Sequence, residues 1–366
     1  MLLSKPCNRA YGCALVFGLT AVLSSFLYAT PCAAQTKKPV KPIPAKKPAA
    51  KKSETIVLGT TQLPGDFGVL GKTYTMGKSY PINFTLRSAE YSVVPFTSGN
   101  NTYVPKADEK LLVLHFTVQN PNPKDLSYDW SGLKFTVVDA KDVNHTAIQT
   151  VVREGLRQPL AESLKPAQKI DVVVPILVPA AGVVPKLIVE RESGMPVIRY
   201  DLRGKVASLA APFADAADAA GASALKEVPV AAGVSVPLGV FAARLDSVAD
   251  VSEPILTREP GKGNRFVTVT FTIKNTSEIV QRYYWGYFHA DLIDADGEKV
   301  PYTQAIVKAT RDESHEGNLN PGEETRFRVF FALPANVAAK SIRLTEGKII
   351  DLRAARIFLF DLTTAK

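Results

Sequence analysis

The segment that decides the fold is residues 265–295, RFVTVTFTIKNTSEIVQRYYWGYFHADLIDA. In its first part, large apolar residues alternate with threonines. The apolar positions are Val267, Val269, Phe271 and Ile273. A period of two places these side chains on one face of a β-strand and the threonines on the other. The alternation returns at Phe288, Ala290 and Leu292, and the Asp-Gly pair at 296–297 that follows is typical of a hairpin turn.

The same pattern occurs once before in the chain, 155 residues earlier, in residues 110–140, KLLVLHFTVQNPNPKDLSYDWSGLKFTVVDA. The two segments align without gaps. Seven aligned positions are identical: Phe116/Phe271, Thr117/Thr272, Asn120/Asn275, Tyr128/Tyr283, Trp130/Trp285, Asp139/Asp294 and Ala140/Ala295. Because this period is far longer than that of a solenoid repeat, we expect each copy to have its own hydrophobic core.

Short strands separated by Asn, Pro and Gly turns, without an amphipathic helix, predict an antiparallel β-sandwich. The predicted fold is all-β, with two tandem antiparallel immunoglobulin-like β-sandwich domains after a signal peptide and a Lys/Pro-rich linker. The predicted boundaries are 1–34 for the signal peptide, 35–54 for the linker, 55–206 for domain 1, 207–228 for an Ala-rich linker and 229–366 for domain 2. Alanine also favours helices, so a short helix within 207–228 is an alternative.

Residues 1–34 have the features of a secretory signal peptide. Lys5 and Arg9 precede an apolar run at 14–29, and small residues at 32–34 offer a cleavage site before Gln35. All three cysteines lie in this segment, so the rest of the chain has no thiol or disulfide chemistry. We therefore expect an exported protein: periplasmic, cell-surface or secreted. The alternative is a membrane anchor formed by an uncleaved signal, since lysines directly after the run favour retention on the cytoplasmic side.

The net charge of +9 is concentrated near the N-terminus. Residues 1–34 carry +2 and residues 35–54 carry +6, which leaves +1 for residues 55–366. The predicted domains are thus nearly neutral, and we expect no nucleic-acid partner. The lysine-rich segment is either a solvated spacer or an electrostatic contact with an anionic surface.

Three turn motifs of the second copy carry a resemblance to a known family: Asn275-Thr-Ser, Asp294-Ala-Asp-Gly297 and Leu319-Asn-Pro-Gly-Glu323. They resemble the telokin-like, immunoglobulin-like extracellular domains of unknown function. The first copy departs from the pattern at residues 139–142 (DAKD) and 164–168 (LKPAQ). The resemblance implies an exported or surface-associated protein and brings no catalytic residues. The same elements are also similar to a small bacterial proteinase-inhibitor domain.

The two tryptophans occupy the same position in the two copies. Each is either a core or sheet-edge residue of the sandwich or part of a stacking platform for a sugar or peptide. The second copy is richer in aromatic residues here. The predicted ligand-binding residues are Tyr283, Tyr284, Trp285 and Tyr287.

No motif indicates catalysis, a metal or a cofactor. Asp294-Ala-Asp-Gly297 is a turn rather than a calcium loop, because Ala305 stands where the loop needs an acid. Asp312–Glu316 is expected to be a solvated acidic loop, and His289 and Asp291 share a polar strand face where they can pair. No serine or cysteine nucleophile is placed beside a histidine by a known motif. The protein is therefore predicted not to be an enzyme.

The functional prediction is a non-enzymatic, exported binding or structural module of the cell envelope. Its partner would be an envelope polymer or another exported protein. The alternative is an inhibitor or accessory module that docks on a secreted enzyme. A hydrolase is the third class, and it would require a pocket with a clustered acid, base and nucleophile.

Overall fold

β-Strands dominate the computed structural model, which describes residues 58–59, 66–348 and 352–363. The predicted signal peptide (1–34) and lysine-rich linker (35–54) lie outside the described residues. Helical structure in the described ranges is limited to three 3₁₀ turns, η1 (Trp130–Gly132), η2 (Trp285–Tyr287) and η3 (Leu352–Ala354). The prediction of an all-β fold is confirmed.

The strands of the first half are β1 (Thr73–Met76), β2 (Ile82–Ser92), β3 (Phe96–Ser98), β4 (Asn101–Tyr103), β5 (Glu109–Gln119), β6 (Leu126–Asp129), β7 (Lys134–Val138), β8 (Asn144–Thr146), β9 (Val152–Arg153), β10 (Ala161–Leu164), β11 (Lys169–Pro179), β12 (Lys186–Glu190), β13 (Ile198–Asp201) and β14 (Val206–Ala207). One sheet has the order β1-β2-β5-β11-β9, and β14 pairs in parallel with β2. The second sheet has the order β13-β12-β7-β8, and short ribbons pair β6 with β10 and β3 with β4.

The strands of the second half are β15 (Glu227–Val230), β16 (Ser235–Leu238), β17 (Phe241–Val251), β18 (Asn264–Asn275), β19 (Gln281–Tyr283), β20 (Phe288–Asp294), β21 (Lys299–Pro301), β22 (Val307–Lys308), β23 (Gly317–Leu319), β24 (Glu324–Pro334), β25 (Ala339–Glu346) and β26 (Ile357–Asp361). They form the sheets β16-β17-β18-β24-β22 and β15-β26-β25-β20-β21, with a ribbon of β19 and β23. All pairings are antiparallel except that of β15 with β26.

The core lies between the two sheets of each half, where the alternating residues meet. The predicted core positions of β5 and β18 are fully buried or nearly so. In the first half Phe116 of β5 packs on Phe135 of β7, with ring centroids 5.0 Å apart. In the second half Phe288 of β20 packs on Phe327 of β24, also at 5.0 Å. Burial of such aromatic pairs across two sheets is the main stabilising contribution of a sandwich.

Each half has the same set of hydrogen bonds stabilising its turns. Asn120 and Asn275 are buried, and each side-chain amide donates to the carbonyl oxygens 4 and 44 residues further along, at 2.8–2.9 Å. Asp139 and Asp294 each accept from the backbone N–H groups 2 and 4 residues further along, at 2.8–3.0 Å. Both pairs are 155 residues apart, so identical side chains fix identical turns.

The turns of the first half keep this geometry without its glycines. Gly297 and Gly322 of the second half have left-handed backbones, with φ of 86° and 78°. The residues 155 positions earlier are Asp142 and Ala167, with φ of 60° and 64°. Alanine in this conformation is strained, because its Cβ approaches the following carbonyl oxygen. The first half therefore differs from the turn motifs in sequence at 139–142 and 164–168, but its turns have the same conformation.

The segment 207–228, predicted as a linker, packs on the first half. Leu209, Phe213 and Ala222 are buried, and no helix forms there. The fully buried Lys110 holds the segment: its ammonium donates to the carbonyl oxygens of Ala180 (3.1 Å) and Ala222 and lies 4.3 Å from the centroid of a tyrosine ring. Burial lowers the pKa of Lys110 to about 8.

Arg356 connects the second half to the first. Its guanidinium donates to the carbonyl oxygens of Leu225 (2.9 Å), Lys106 (3.3 Å), Ala107 (3.5 Å) and Glu109 (2.9 Å). Burial lowers the pKa of Arg356 to about 10. The described residues form one compact unit, and the predicted boundaries between two domains stay a prediction.

Candidate functional site

The four predicted aromatic residues do not share one surface. Tyr283 and Tyr287 are 4% and 2% exposed, whereas Trp285 is 46% exposed and Tyr284 is half-buried. Tyr283 ends β19 on its core side, and the turn η2 brings Tyr287 back into the core. Of the four residues predicted to bind a ligand, two support the core and two face outward, and their role in binding stays a prediction.

The outward side chains form what we call the aromatic strip, made of Arg282, Tyr284 and Trp285. The Arg282 guanidinium lies 5.6 Å from the Tyr284 ring centroid. The rings of Tyr284 and Trp285 meet edge to face, with centroids 6.4 Å apart and planes at 83°. In this arrangement the cation and both rings stabilise one another, and the indole remains open to solvent.

Buried polar contacts support the strip from below. The Tyr302 hydroxyl lies within hydrogen-bond distance of the carbonyl oxygens of Trp285 (2.5 Å) and Phe288 (3.0 Å), at the two ends of η2, and shares its proton between them. Burial raises the pKa of Tyr302 to about 12, so the hydroxyl keeps its proton. The strip is thus attached to a turn whose backbone is fixed by the core.

A second contact fixes the base of β19. The Tyr283 hydroxyl and His315 Nε2 are 3.1 Å apart, and Thr325 Oγ1 lies 2.9 Å from the same nitrogen. Burial lowers the pKa of His315 and raises the pKa of Tyr283. His315 is therefore neutral at pH 7 and joins β19 to the loop before β23.

The corresponding surface of the first half is different. Trp130 is 50% exposed in η1, so neither tryptophan lies in the core. The neighbour that corresponds to Tyr284 is Asp129, whose carboxylate accepts from the backbone N–H (2.8 Å) and the hydroxyl (2.6 Å) of Ser131. Ser127 replaces Arg282. The first half has the exposed indole without the second ring and the cation.

The other candidate residues have structural partners. Asp294 stabilises its own turn, as described above. The loop Asp312–Glu316 is less free than predicted, because Asp312 pairs with Arg328, Glu313 with Lys308 (2.5 Å) and Glu316 with Arg282 (3.2 Å). In the described part of the chain no cluster of three His, Cys, Asp or Glu side chains is arranged to hold a metal ion.

Residues 234–350 match a family model described as "Domain of unknown function (DUF4352)". The match covers most of the second half, the copy in which the turn motifs are most complete. No curated protein matches the chain at a significant level. Across the ranges that the structure describes, every helix is too short or too polar to span a membrane.

Three solved structures are similar to part of this chain. An uncharacterized β-sandwich protein from Clostridium difficile 630 is 13% identical and covers 39% of this chain and 99% of its own, with a TM-score of 0.29. The yjhA protein from Bacillus subtilis is 14% identical over 36% of this chain and 97% of its own, with a TM-score of 0.26. The secreted protein MPT63 from Mycobacterium tuberculosis is 12% identical over 37% of this chain and 96% of its own, with a TM-score of 0.26. The likeness concerns the fold alone.

Sequence reasoning missed Arg282, His315 and Tyr302. The alternation in β19 could have revealed Arg282, since Arg282 and Tyr284 share the face opposite Tyr283. His315 and Tyr302 reach the site from loops that are distant in sequence, and no local pattern indicates such contacts.

Proposed function

We propose that this protein is a non-enzymatic, exported binding module of the cell envelope, which uses the aromatic strip to bind an envelope polymer through its sugar rings. In this proposal two tandem copies of one sandwich share a scaffold, and the second copy carries the binding surface. The single observation behind it is the strip itself: a cation and two rings, half exposed, on a turn fixed by buried hydrogen bonds.

The chemistry of the strip supports recognition by stacking. Tyrosine and tryptophan offer large contact areas with few rotatable bonds, so little entropy is lost when a ligand orders them. The arginine adds hydrogen-bond donors beside the rings, and Tyr, Trp and Arg are the residues that dominate binding energies at contact surfaces. A polymer with hydroxyl-bearing rings presents apolar faces to Trp285 and acceptors to Arg282.

The non-enzymatic part of the proposal is supported by the surroundings of the four histidines, which all lie in the described ranges. His315 contacts hydroxyls without a carboxylate on its ring. His115, His145 and His289 contact carboxylates without a hydroxyl nucleophile. A Ser-His-Asp type of triad needs both partners on one imidazole.

Export of the chain is proposed from the signal peptide predicted at 1–34. Its charged start, apolar run and small residues before Gln35 are the features that direct a chain across a membrane. The fold neighbour MPT63 is itself a secreted protein. The compartment proposed for this chain lies outside the cytoplasm, with the protein either released or attached to the envelope through an uncleaved signal.

The test is co-sedimentation of the full chain with the host's envelope fraction. Trp285→Ala removes the open indole and should weaken binding about tenfold or more, the loss typical of a contact worth at least about 1.4 kcal/mol. Trp130→Ala is the matched control, because it deletes the same side chain at the same turn of the first half. Binding should persist at high salt, which screens the lysine-rich segment. Equal binding by wild type and Trp285→Ala would refute the proposal.

The alternative is docking on a secreted enzyme. The specific observation in its favour is that one strip holds a half-exposed tryptophan and an arginine, residue types that are enriched at protein–protein contacts. A panel of secreted proteases assayed with the purified chain separates the two functions. Inhibition lost in Trp285→Ala and kept in Trp130→Ala would favour the enzyme partner over the polymer.

A further inference from the structure

A polar cavity lies on the outer face of the sheet β15-β26-β25-β20-β21, and it includes no residue of the aromatic strip. Its volume is about 400 Å³. Among the residues that line it are Lys226, His289, Asp291, Lys299 and Arg343. This size is within the range of small-molecule sites and too small for a folded partner.

The strand register explains why these side chains meet. On β20, His289 and Asp291 alternate with the core residues and point to the opposite face. Arg343 of β25 is the direct cross-strand partner of Asp291. Glu227 of β15 reaches the same place, because β15 joins the far side of the sheet through β26.

The two carboxylates of the cavity are already neutralised. Asp291 is 6% exposed at its side chain, and its Oδ2 lies 2.5 Å from Lys299 Nζ. Glu227 Oε1 accepts from the Arg343 guanidinium at 2.7 Å. Arg343 uses one N–H for this bond, and a guanidinium has about five. Its remaining donors therefore stay available for a second acceptor.

Even without Arg353, the cations of the described lining outnumber its carboxylates. Lys226, Lys299 and Arg343 face Glu227 and Asp291. Lys226 is exposed and has no ion-pair partner among the described residues. A concave site with low-dielectric walls concentrates such an excess and attracts anions.

We propose that this cavity binds the anion of a small oxyacid, such as a phosphate monoester or a dicarboxylate. Arg343 offers paired N–H donors that match the oxygens of either group, and Lys226 supplies a further positive charge. Asp291 is the buried acid of the lining, and the exposed Lys299 pairs with it.

The site belongs to the second half alone. The residues 155 positions before His289, Asp291 and Lys299 are Lys134, Thr136 and Asn144. The first half therefore lacks the counterpart of the Asp291–Lys299 pair, and its Lys134 pairs instead with Glu190 (3.5 Å). We expect a stoichiometry of one ligand per chain. The proposal does not depend on what the aromatic strip binds.

Isothermal titration of the full chain with inorganic phosphate and with succinate tests the proposal. We expect one site for at least one of the two probes, and the probe that binds identifies the kind of oxyacid. Arg343→Gln should weaken binding about tenfold, since it removes a charge-assisted donor pair. Lys226→Gln, on an exposed side chain, should weaken binding without affecting folding.

Lys134→Gln is the matched control, because it removes one positive charge from the first half at the position that corresponds to His289. It should leave the affinity within about twofold of wild type, and so should Trp285→Ala. Three results would overturn the proposal: no binding of either probe, equal affinity in wild type and both cavity variants, or the same loss in Lys134→Gln as in Arg343→Gln. The last result would mean a general effect of net charge.

Discussion

The two halves of this protein have the same turn-fixing side chains and different surfaces. Asn120 and Asn275 make the same pair of hydrogen bonds, although 13 of the 15 residues at 121–135 differ from their counterparts at 276–290. The surface residue beside the shared tryptophan is an acid that caps its own turn in the first half and a tyrosine in the second. The comparison separates residues that specify the fold from residues that are free to acquire a function.

We expect the largest effect from replacing Asn120 or Asn275, and the two variants test whether these asparagines contribute equally to stability. Asn120→Ala and Asn275→Ala each leave two carbonyl oxygens without a donor, and each should cost about 2–4 kcal/mol of unfolding free energy. Each half has one tryptophan, so urea unfolding of Trp130→Phe and Trp285→Phe backgrounds reports the halves separately. Asn320→Ala, on an exposed side chain, is the control and should cost far less. If only one of the two asparagine variants lost unfolding free energy, the two asparagines would not be equivalent.

The second prediction exchanges residues at a left-handed turn. Ala167→Gly should stabilise the first half by about 0.5–1 kcal/mol. Glycine adopts a positive φ without a Cβ clash, and this gain exceeds the conformational entropy that the extra glycine loses on folding. Gly322→Ala should destabilise the second half by a similar amount; open space surrounds the new Cβ, so backbone strain alone acts. Urea midpoints give both values. Ala161→Gly in β10 is the control and should destabilise. Stabilisation there as well would contradict the argument from φ.

The third and smallest effect is a pH dependence confined to the second half. Burial holds the pKa of His315 below its usual value. As the pH falls, His315 therefore becomes protonated near pH 6.5 in the unfolded chain, and only at a lower pH in the folded protein. Stability is therefore fully present above about pH 6.5 and falls as the pH drops through that value. The first half has Leu160 at this position and should lack the effect.

The measurement is thermal unfolding at a series of pH values, followed through Trp285. His315→Gln keeps a polar partner for Tyr283 without the titration, so its stability should change less between neutral and mildly acidic pH than that of wild type. Parallel pH profiles for the two proteins would show that His315 does not carry the dependence.

The sequence predicted the all-β fold, but it has no signal for how the segment between the halves packs. Strands such as β5 and β18 have long runs of alternating residues, and burial on one face produces that signal directly. The segment 207–228 has no such signal, because alanine is tolerated in helices, turns and buried contacts alike. Its position depends on Lys110, which lies about a hundred residues earlier and donates to Ala222.

The sequence located the candidate site but did not predict which of its side chains face outward. The identity of Trp130 and Trp285 located the region. The orientation of the neighbouring tyrosines depends on η2, a 3₁₀ turn that interrupts the two-residue period between β19 and β20. After this interruption, the two-residue alternation no longer shows which side chains face the core. The burial of Tyr287 could therefore not be predicted from the sequence.

Arg356 also constrains the order in which the molecule can be completed. It follows its acceptor at Lys106 by 250 residues, and a chain is synthesised from the N-terminus. The sheets of the first half can therefore close long before Arg356 exists. Contacts of such separation form late. During synthesis the halves can already be joined by contacts such as that of Arg157 with the carbonyl oxygen of Thr276, and the guanidinium of Arg356 completes the junction afterwards.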